Sequence, residues 1–292
     1  MKEINPSQFY AEGAINLEER PTFLDLQAKE KKIEKELENV REDLGEWQDV
    51  LYAHGKYSVL VCLQGMDTAG KDSLIREVFK DFNSRGVVVH SFKTPTSKEL
   101  KHDYLWRHYI ALPERGKFGV FNRTHYENVL VTKVHPNYIL HENIPGINSV
   151  EDIDEAFWEK RYQQILDFEK HIQANGTIIF KFFLHLSKNE QKHRLLRRLN
   201  KSSKNWKFSP GDLKERELWE DYQDCYAEAI SKTSTPETPW YIVPADDKPS
   251  ARYIVAKILL DKLSEYKDVQ EPELAPEIKE NLDAYKKMLE KE

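Results

Sequence analysis

Two glycines and a lysine between residues 65 and 71 have the spacing of a phosphate-binding loop. The segment GMDTAGKD, residues 65–72, reads G-x-x-x-x-G-K, follows the apolar run YSVLVCL and precedes a helix-forming sequence. In such a strand–loop–helix unit, backbone N–H groups and the N-terminus of the helix face an anion. We therefore predict a phosphate-binding loop, with a glycine-rich structural turn as the alternative. Its predicted phosphate-binding residues are Gly65, Ala69, Gly70 and Lys71.

Two aspartates depart from the usual pattern of such a loop. Asp72 stands where Ser or Thr normally offers Mg²⁺ a hydroxyl, and Asp67 lies inside the loop, where a carboxylate would repel phosphates. A divalent cation between the carboxylate of Asp67 and the phosphates would offset that repulsion, since Mg²⁺ binds one or two carboxylates together with phosphate oxygens. Asp67 is therefore predicted to bind the metal and to contact the acceptor phosphate. The alternative is a surface acid in a tolerant turn.

A second group of polar residues follows the third predicted strand, in the segment FNRTHYEN, residues 121–128. Phosphate-binding enzymes of this type usually carry a Mg²⁺-binding acid there, but this chain has Asn122, and the nearest acid is Glu127. Arg123 lies at the strand end, where functional groups collect in open α/β sheets, and is predicted to contact phosphate. Arg107, within YLWRHY, is a weaker candidate because aromatic residues around an arginine often indicate only helix packing.

The positive charge of the chain is concentrated in one segment. The whole chain has a net charge of −6, yet residues 188–216 carry ten Lys and Arg against three acids. Arg194, Arg197 and Arg198 have the spacing of one helical face, and Lys204 and Lys207 extend the basic sequence. This pattern favours binding of one polyanion at one place over general coating of nucleic acid. A solvated helical face is the alternative.

Composition places the chain among ordinary globular proteins. Of its 292 residues, 39% are hydrophobic and 32% are charged, which is typical of such proteins. No apolar run approaches the length needed to cross a bilayer, and the N-terminus MKEINPSQFY lacks the apolar region of a signal peptide. Cys62 and Cys225 are far apart and are interpreted as idle thiols in a reducing compartment. We therefore expect a cytoplasmic protein with no membrane partner.

Alternating short apolar runs and helical segments predict an α/β fold with a mostly parallel sheet. The predicted strands are residues 57–63, 86–92, 117–121, 177–184 and 240–243. The predicted helices are residues 25–54, 72–82, 98–112, 154–173 and 251–266. The basic segment interrupts this alternation and is interpreted as a helical lid. The predicted organisation is a helical extension at 1–54, a core at 55–266 with the lid at 188–235, and a charged tail at 267–292.

Five motifs together resemble the polyphosphate kinase 2 family. They are GMDTAGKD, HDYLWRHYIALP, FNRTHYENVLV, KNWKFSPGDL and PADDK, in this order along residues 55 to 265. The resemblance implies a P-loop kinase fold similar to that of thymidylate kinase, with a helical lid. It also implies Mg²⁺-dependent phosphoryl transfer between polyphosphate and purine nucleotides, with Mn²⁺ as an alternative ion, and a homodimer or homotetramer.

The resemblance also assigns roles to individual residues. It implies that Asp67 binds metal and orients the acceptor, and that Lys71 contacts the transferred phosphoryl group. The residues implied to hold phosphates are Arg107, Arg123, Arg194, Arg198, Lys204 and Lys207, and two further matching positions are Asp212 and Asp247. Where many members have aspartate, this chain has Asn122, so Glu127 becomes a candidate for part of that metal-binding role. The FNR-[ST]-HYE form resembles the branch that acts on both nucleoside monophosphates and diphosphates, here AMP and ADP with GMP and GDP as further candidates.

Two other functions are compatible with parts of this pattern. An ATP-dependent nucleoside monophosphate kinase would share the phosphate loop and an arginine-rich lid. The long basic lid and Asp67 favour polyphosphate over that alternative. A non-catalytic polyphosphate- or nucleotide-binding module would not need Asp67, Lys71 and Arg123 together.

Overall fold

Five parallel strands form a single sheet in the computed structural model, which describes residues 1–206 and 208–291. The strands are β1 (Ser58–Gly65), β2 (Val87–Ser91), β3 (Phe118–Asn122), β4 (Thr177–His185) and β5 (Trp240–Pro244). Their order is β2-β3-β1-β4-β5. The strands β1, β3 and β5 are buried along their whole length, as expected for a parallel sheet covered by helices. The predicted α/β architecture is confirmed.

Helices flank the sheet on both faces and form the insertion between β4 and β5. They are α1 (Glu30–His54), α2 (Lys71–Val78), α3 (Trp106–Tyr109), α4 (Val131–Val134), α5 (Glu155–Ala174), α6 (Lys188–Asn200), α7 (Ser202–Asn205), α8 (Pro210–Glu217), α9 (Trp219–Thr233), α10 (Lys248–Leu263) and α11 (Pro276–Leu289). Within the described ranges, no helix is both long and apolar enough to cross a membrane.

The longest helix, α1, contributes to the main core of the molecule. Its residues Ile33, Leu37, Leu44 and Leu51 recur at helical spacing and are buried, so one apolar stripe faces inward. That stripe belongs to the same hydrophobic cluster as β1 and α10. The helix ends at Gly55, whose φ of 66° is the left-handed conformation common just after a helix. The segment predicted as a helical extension therefore packs against the sheet domain.

The predicted helix over residues 98–112 is wrong. The structure has a 3-10 turn at Glu99–Lys101 and only the single-turn α3 at Trp106–Tyr109. His102 is extended, with φ −117° and ψ 170°, and the side chain of Asp103 accepts a hydrogen bond from Leu105 N at 2.9 Å. Such a local side-chain bond stabilises a turn in place of a continuous helix. The other predicted helices and strands occur close to their expected positions.

The sheet brings the chain segments of interest to one edge. Strand β1 lies at the centre, with Leu63 paired to Asn122 of β3 and Gly65 paired to Leu184 of β4. Because the strands are parallel, the loops that follow β1 and β3 leave the sheet side by side. Ligands bind at this carboxyl edge in open α/β sheets. The lid helices α6 to α9 begin after β4 at the same edge.

Candidate active site

The loop between β1 and α2 has the backbone of a phosphate cradle. Gly65 and Gly70 have φ values of 151° and 107°, which side-chain-bearing residues rarely adopt. A Cβ atom on Gly65 would also lie 2.9 Å from the carbonyl oxygen of Leu184. Lys71 Nζ donates to the carbonyl of Gly65 at 2.5 Å. Burial lowers the pKa of Lys71 to about 8, and neighbouring Arg123 adds to the effect.

Arg123 lies between two carboxylates. Its Nη2 is 3.2 Å from Asp67 Oδ1, and its Nη1 is 3.2 Å from Glu127 Oε2. These carboxylates, Glu127 most strongly, raise the pKa of Arg123. Its backbone is left-handed, with φ 60°, a conformation that costs a residue with a side chain about 1–2 kcal/mol. The residues predicted from the loop and from the end of β3 therefore meet in one cluster.

A large basic cavity opens on one side of this cluster. It has a volume of about 770 Å³. Ten of its described lining residues are cationic and two are acidic. The cationic residues are Lys71, Arg76, Lys93, Arg123, Arg194, Arg197, Arg198, Lys204, Lys248 and Arg252. Such a concentration of charge with so few acids favours a ligand that carries many negative charges.

Four of these cations were not predicted from the sequence. Arg76 lies on α2, Lys93 follows β2, and Lys248 and Arg252 lie on the first turns of α10. Burial lowers the pKa of Lys248 to about 8, with contributions from the charges of Arg194 and Arg197. Lys248 is the last residue of the motif PADDK, so the sequence offered this one indication that it belongs to the site. Nothing in the local sequence marks the other three.

Arg194 stabilises the phosphate loop by donating hydrogen bonds to its backbone. Its guanidinium donates to the carbonyls of Thr68, Ala69, Ala245 and Asp246 at 2.7–3.0 Å. Its side chain is only 6% exposed. The basic helix α6 therefore does not present all its arginines alike, because Arg194 is committed to backbone carbonyls.

The other lid cations take different positions. Arg197 is exposed on α6, and Arg198 forms an ion pair of 3.2 Å with Asp212 on α8. Lys204 also lines the basic cavity. The predicted residue Lys207 lies outside the described residues.

Two predicted residues lie away from the cluster. Arg107 is buried, donates to the carbonyl of Lys93 at 2.8 Å and packs over the ring of Phe92, and it lines neither cavity at the site. Asp247 caps α10 by accepting a hydrogen bond from Ser250 N at 3.0 Å. The structure thus gives a packing contact to the first and a helix cap to the second.

Asn122 and Asp72 meet directly. Asn122 Nδ2 donates to Asp72 Oδ1 at 2.7 Å and also to Ser91 Oγ at 3.4 Å. Asn122, which stands where related enzymes usually have an acid, is therefore hydrogen-bonded to Asp72, which stands where they usually have Ser or Thr. The amide at position 122 suits the carboxylate at position 72, because an aspartate at 122 would place a second negative charge against Asp72.

A smaller cavity lies on the other side of Asp67 and Arg123. It measures about 140 Å³, and Asp67, Arg123 and Glu127 line it. The remaining wall is mixed, and includes Tyr138, Tyr222 and Glu215 together with Arg216 and apolar residues. Glu215, on α8, accepts hydrogen bonds from Tyr222 Oη at 2.6 Å and pairs with His135 Nε2 at 3.0 Å. Asp67 and Arg123 therefore form a boundary between a basic cavity and a mixed aromatic one.

The carboxylates at this boundary offer oxygen ligands to a divalent cation. Asp67 and Glu127 place two carboxylates on either side of the guanidinium of Arg123. Within the described residues, the one cluster of three side chains close enough to chelate an ion is Glu155, Glu159 and Glu228, outside the site. A site without a complete protein cage suits Mg²⁺, which keeps several waters and takes phosphate oxygens as ligands.

Comparison with known proteins shows which family resembles this chain. The family model for polyphosphate kinase 2 matches residues 27–272. An ADP-polyphosphate phosphotransferase of Rhodopseudomonas palustris is 48% identical over 80% of each chain. An AMP/ADP-polyphosphate phosphotransferase of Meiothermus ruber is 45% identical over 74% of this chain and 75% of its own. The crystal structure of polyphosphate kinase 2 from Arthrobacter aurescens is 34% identical and superimposes with a TM-score of 0.85, covering 98% of this chain and all of that one.

Proposed function

Because the chain belongs to the polyphosphate kinase 2 family and transfers phosphoryl groups between polyphosphate and nucleotides, we propose that its two cavities divide these substrates between them. Polyphosphate occupies the basic cavity, and the nucleotide occupies the smaller one. AMP and ADP are both acceptors. The observation that carries this proposal is that Asp67 and Arg123 line both cavities. A phosphoryl group passing between two substrates must cross such a shared boundary.

The basic cavity has the chemistry that polyphosphate requires. Each phosphate unit carries negative charge, and the cations of the wall other than the buried Arg194 can engage several units at once. Arginine binds phosphate oxygens with a planar pair of N–H groups, and lysine binds them as a compact charge. Asp67 and Asp72 are the only acids in the described lining, so little charge in the wall opposes the ligand.

The smaller cavity suits the nucleoside end of an acceptor. Tyr138 and Tyr222 offer aromatic rings, and Glu215 offers carboxylate oxygens to amino or hydroxyl groups. Its walls come from different parts of the chain, since His135 lies beside α4 while Glu215 belongs to the lid helix α8. The lid helix α8 therefore contributes to the wall of the proposed nucleotide cavity.

The reaction needs little beyond alignment and charge neutralisation. A terminal phosphate oxygen of the nucleotide attacks the terminal phosphorus of polyphosphate, the bond to the bridging oxygen breaks, and polyphosphate leaves one unit shorter. Negative charge is spread over the transferred group during this step. Lys71 and Arg123 stabilise that charge from the loop and from the end of β3. The reverse direction uses the same contacts.

Asp67 and Glu127 are the proposed ligands of the divalent cation, which we propose to be Mg²⁺, with Mn²⁺ able to replace it. The ion, when bound, would neutralise charge on the phosphates that meet at the boundary. Glu127 already pairs with Arg123, so its proposed role is shared between orienting that arginine and binding the ion. Asn122 contributes a neutral amide beside this site.

Acceptance of both AMP and ADP follows from the redundancy of the cations. An extra phosphate shifts the attacking oxygen by one phosphoryl length, and attack stays in line only if other cations can hold the displaced groups. Arg123 lines both cavities, and Arg198 and Lys204 line the basic one. The two curated relatives named above differ in whether AMP appears in their names while being similarly identical to this chain, so the choice rests on the site itself.

An assay with AMP tests this proposal directly. AMP, long-chain polyphosphate and Mg²⁺ are incubated without ATP, and products are separated by chromatography over time. We expect ADP first and ATP after a lag, because the first product becomes the second acceptor. Rapid phosphorylation of ADP with no product from millimolar AMP would contradict dual acceptance but would leave polyphosphate:ADP transfer intact.

Other expectations accompany the proposal. The names of the relatives refer to polyphosphate, so an ATP-dependent nucleoside monophosphate kinase is not favoured. GMP and GDP as further acceptors, a homodimer or homotetramer, and a cytoplasmic location remain predictions from the sequence, as does the expectation that nucleic acid and membranes are not partners.

A further inference from the structure

A fully buried ion pair lies behind the loop that carries Arg123. Lys181, in the middle of β4, and Glu169, on α5, have side chains that are 0% and 2% exposed, and Lys181 Nζ is 2.7 Å from Glu169 Oε2. Lys181 also donates to the carbonyl of Thr233 at 2.7 Å and lies 3.3 Å from Tyr126 Oη. In the sequence it appears as a lone cation within the apolar run TIIFKFFL.

This ion pair is not needed to fill the core. Removing two charges from water is costly, and well-packed apolar residues of similar volume often stabilise a core at least as well as a buried ion pair. The charged state is nevertheless retained: although burial by itself raises the pKa of Glu169, Lys181 and His125 hold it down to about 2. A carboxylate held in this way has its oxygens available as strong acceptors.

The second carboxylate oxygen of Glu169 contacts the loop that follows β3. Oε1 accepts a hydrogen bond from Tyr126 Oη at 2.7 Å and lies 3.0 Å from His125 Nε2. These two residues belong to a short 3-10 turn, His125–Asn128, and both are fully buried. They stand between Arg123 and Glu127, the two residues that form the ion pair at the boundary of the cavities.

The neighbouring residues complete this anchorage. Thr124 Oγ1 accepts hydrogen bonds from Tyr126 N and from Gln64 Nε2, each at 3.1 Å. Directly before it, Arg123 holds a left-handed backbone conformation that a side-chain-bearing residue rarely keeps without support from its surroundings. The turn therefore fixes the strained arginine from its C-terminal side.

We infer that Glu169 and Lys181 are positioning residues for phosphoryl transfer, acting through His125 and Tyr126 to hold Arg123 and Glu127 in register with the substrates. Neither lines a cavity at the site, and neither touches substrate. Their effect is on orientation: with the turn anchored, the guanidinium of Arg123 keeps its place between Asp67 and Glu127. The inference rests on the proposed role of Arg123.

The main test removes both charges together, in the double variant Glu169→Gln with Lys181→Met, so that no unpaired charge stays in the core. With ADP and polyphosphate as substrates, we expect kcat to fall about tenfold or more while both KM values stay within about threefold. The crystal structure of the variant should show Arg123 outside the left-handed region. Using ADP keeps the test separate from the question of AMP acceptance.

A control variant removes a different ion pair, one that is partly rather than fully buried and that lies outside the turn. Arg41 Nε is 2.8 Å from Asp81 Oδ2 and connects α1 to the segment after α2. The double variant Arg41→Met with Asp81→Asn is expected to lose stability but to keep the kcat of the unchanged protein. If both double variants lowered kcat equally, a general loss of core packing would explain the effect and the positioning role would be refuted.

Tyr126→Phe serves as a gentler variant that removes one hydroxyl from the network. We expect kcat to fall severalfold with unchanged KM, and this variant decides the question if the double variant does not fold. A kcat within twofold of the unchanged protein would overturn the inference. Absence of any polyphosphate:ADP turnover in the unchanged protein would instead refute the proposed function, and the backbone of Arg123 in the variant crystals would still decide the positioning role.

Discussion

The two cavities that meet at Asp67 and Arg123 differ in both size and lining. Among the described residues, the larger, of about 770 Å³, is lined by ten cations and two acids, whereas the smaller, of about 140 Å³, combines tyrosines, carboxylates, a histidine and two arginines. One is suited to a ligand that is charge throughout, and the other to a ligand with a distinct nucleoside end. Under the proposed function, one edge of the sheet would hold donor and acceptor by different interactions while the two sites share Asp67 and Arg123.

The comparison also separates two kinds of cation. Arg194 is buried and donates to four backbone carbonyls, so it builds the phosphate loop. Arg197, one turn further along α6, is exposed and lines the basic cavity, so it is placed to meet the ligand. Charge at a position therefore does not by itself assign a binding role.

The largest expected effect comes from substituting the charged residues of the phosphate loop at the boundary between the cavities. Lys71→Ala or Asp67→Asn should lower kcat by about 100-fold or more, since each removes charge that acts on the transferred phosphoryl group. The measurement is steady-state turnover of ADP with polyphosphate, with circular dichroism to verify folding. Lys80→Ala, an exposed lysine just beyond α2, is the control and should turn over normally. A folded Lys71→Ala or Asp67→Asn protein with near-normal kcat would remove that residue from the catalytic set.

A paired substitution on α6 sharpens the distinction between the two kinds of cation. Arg194→Met should lower the free energy of unfolding by about 2–4 kcal/mol, because several buried carbonyls lose their donor. Arg197→Met should leave stability unchanged and raise the KM for polyphosphate about three- to tenfold, with little change in the KM for ADP. Urea denaturation and substrate titration measure the two effects. The distinction fails if both variants lose stability alike.

The smallest expected effect concerns the metal ion proposed at the boundary between the cavities. Glu127→Gln keeps the size of the side chain but removes its charge, so the Mg²⁺ concentration for half-maximal rate should rise about two- to fivefold. The measurement is the rate as a function of free Mg²⁺ at saturating ADP and polyphosphate. Glu215→Gln, on the nucleotide side, is the control and should leave the Mg²⁺ curve unchanged. An unaltered curve for Glu127→Gln would limit Glu127 to its ion pair with Arg123.

The fold and part of the site could be predicted because their signals are local. The spacing of Gly65, Gly70 and Lys71 defines a loop conformation, and alternating apolar runs define the parallel sheet. The position of Arg123 at the end of a strand followed from the same reasoning. These predictions depend only on residues near each other in sequence.

The remaining features depend on contacts between distant segments. Arg194 reads as one arginine of a basic face, and only its bonds to residues 68, 69, 245 and 246 reveal a supporting role. Arg107 similarly reads as a phosphate contact but is held by the carbonyl of Lys93. The predicted helix over 98–112 is wrong because Asp103 forms a local turn that outweighs the helical propensity of its neighbours. No periodicity encodes these contacts.

The large number of cations in the basic cavity has a consequence for how polyphosphate is consumed. Every internal unit of that polymer is chemically identical, so a chain displaced by one unit meets the same set of contacts as before. Under the proposed function, the shortened product can advance toward Asp67 without leaving the wall, and successive transfers need no fresh encounter in solution. A nucleotide carries a nucleoside at one end, so shifting it by one phosphate unit does not restore the same contacts. The acceptor must therefore exchange after each transfer while the donor can stay bound.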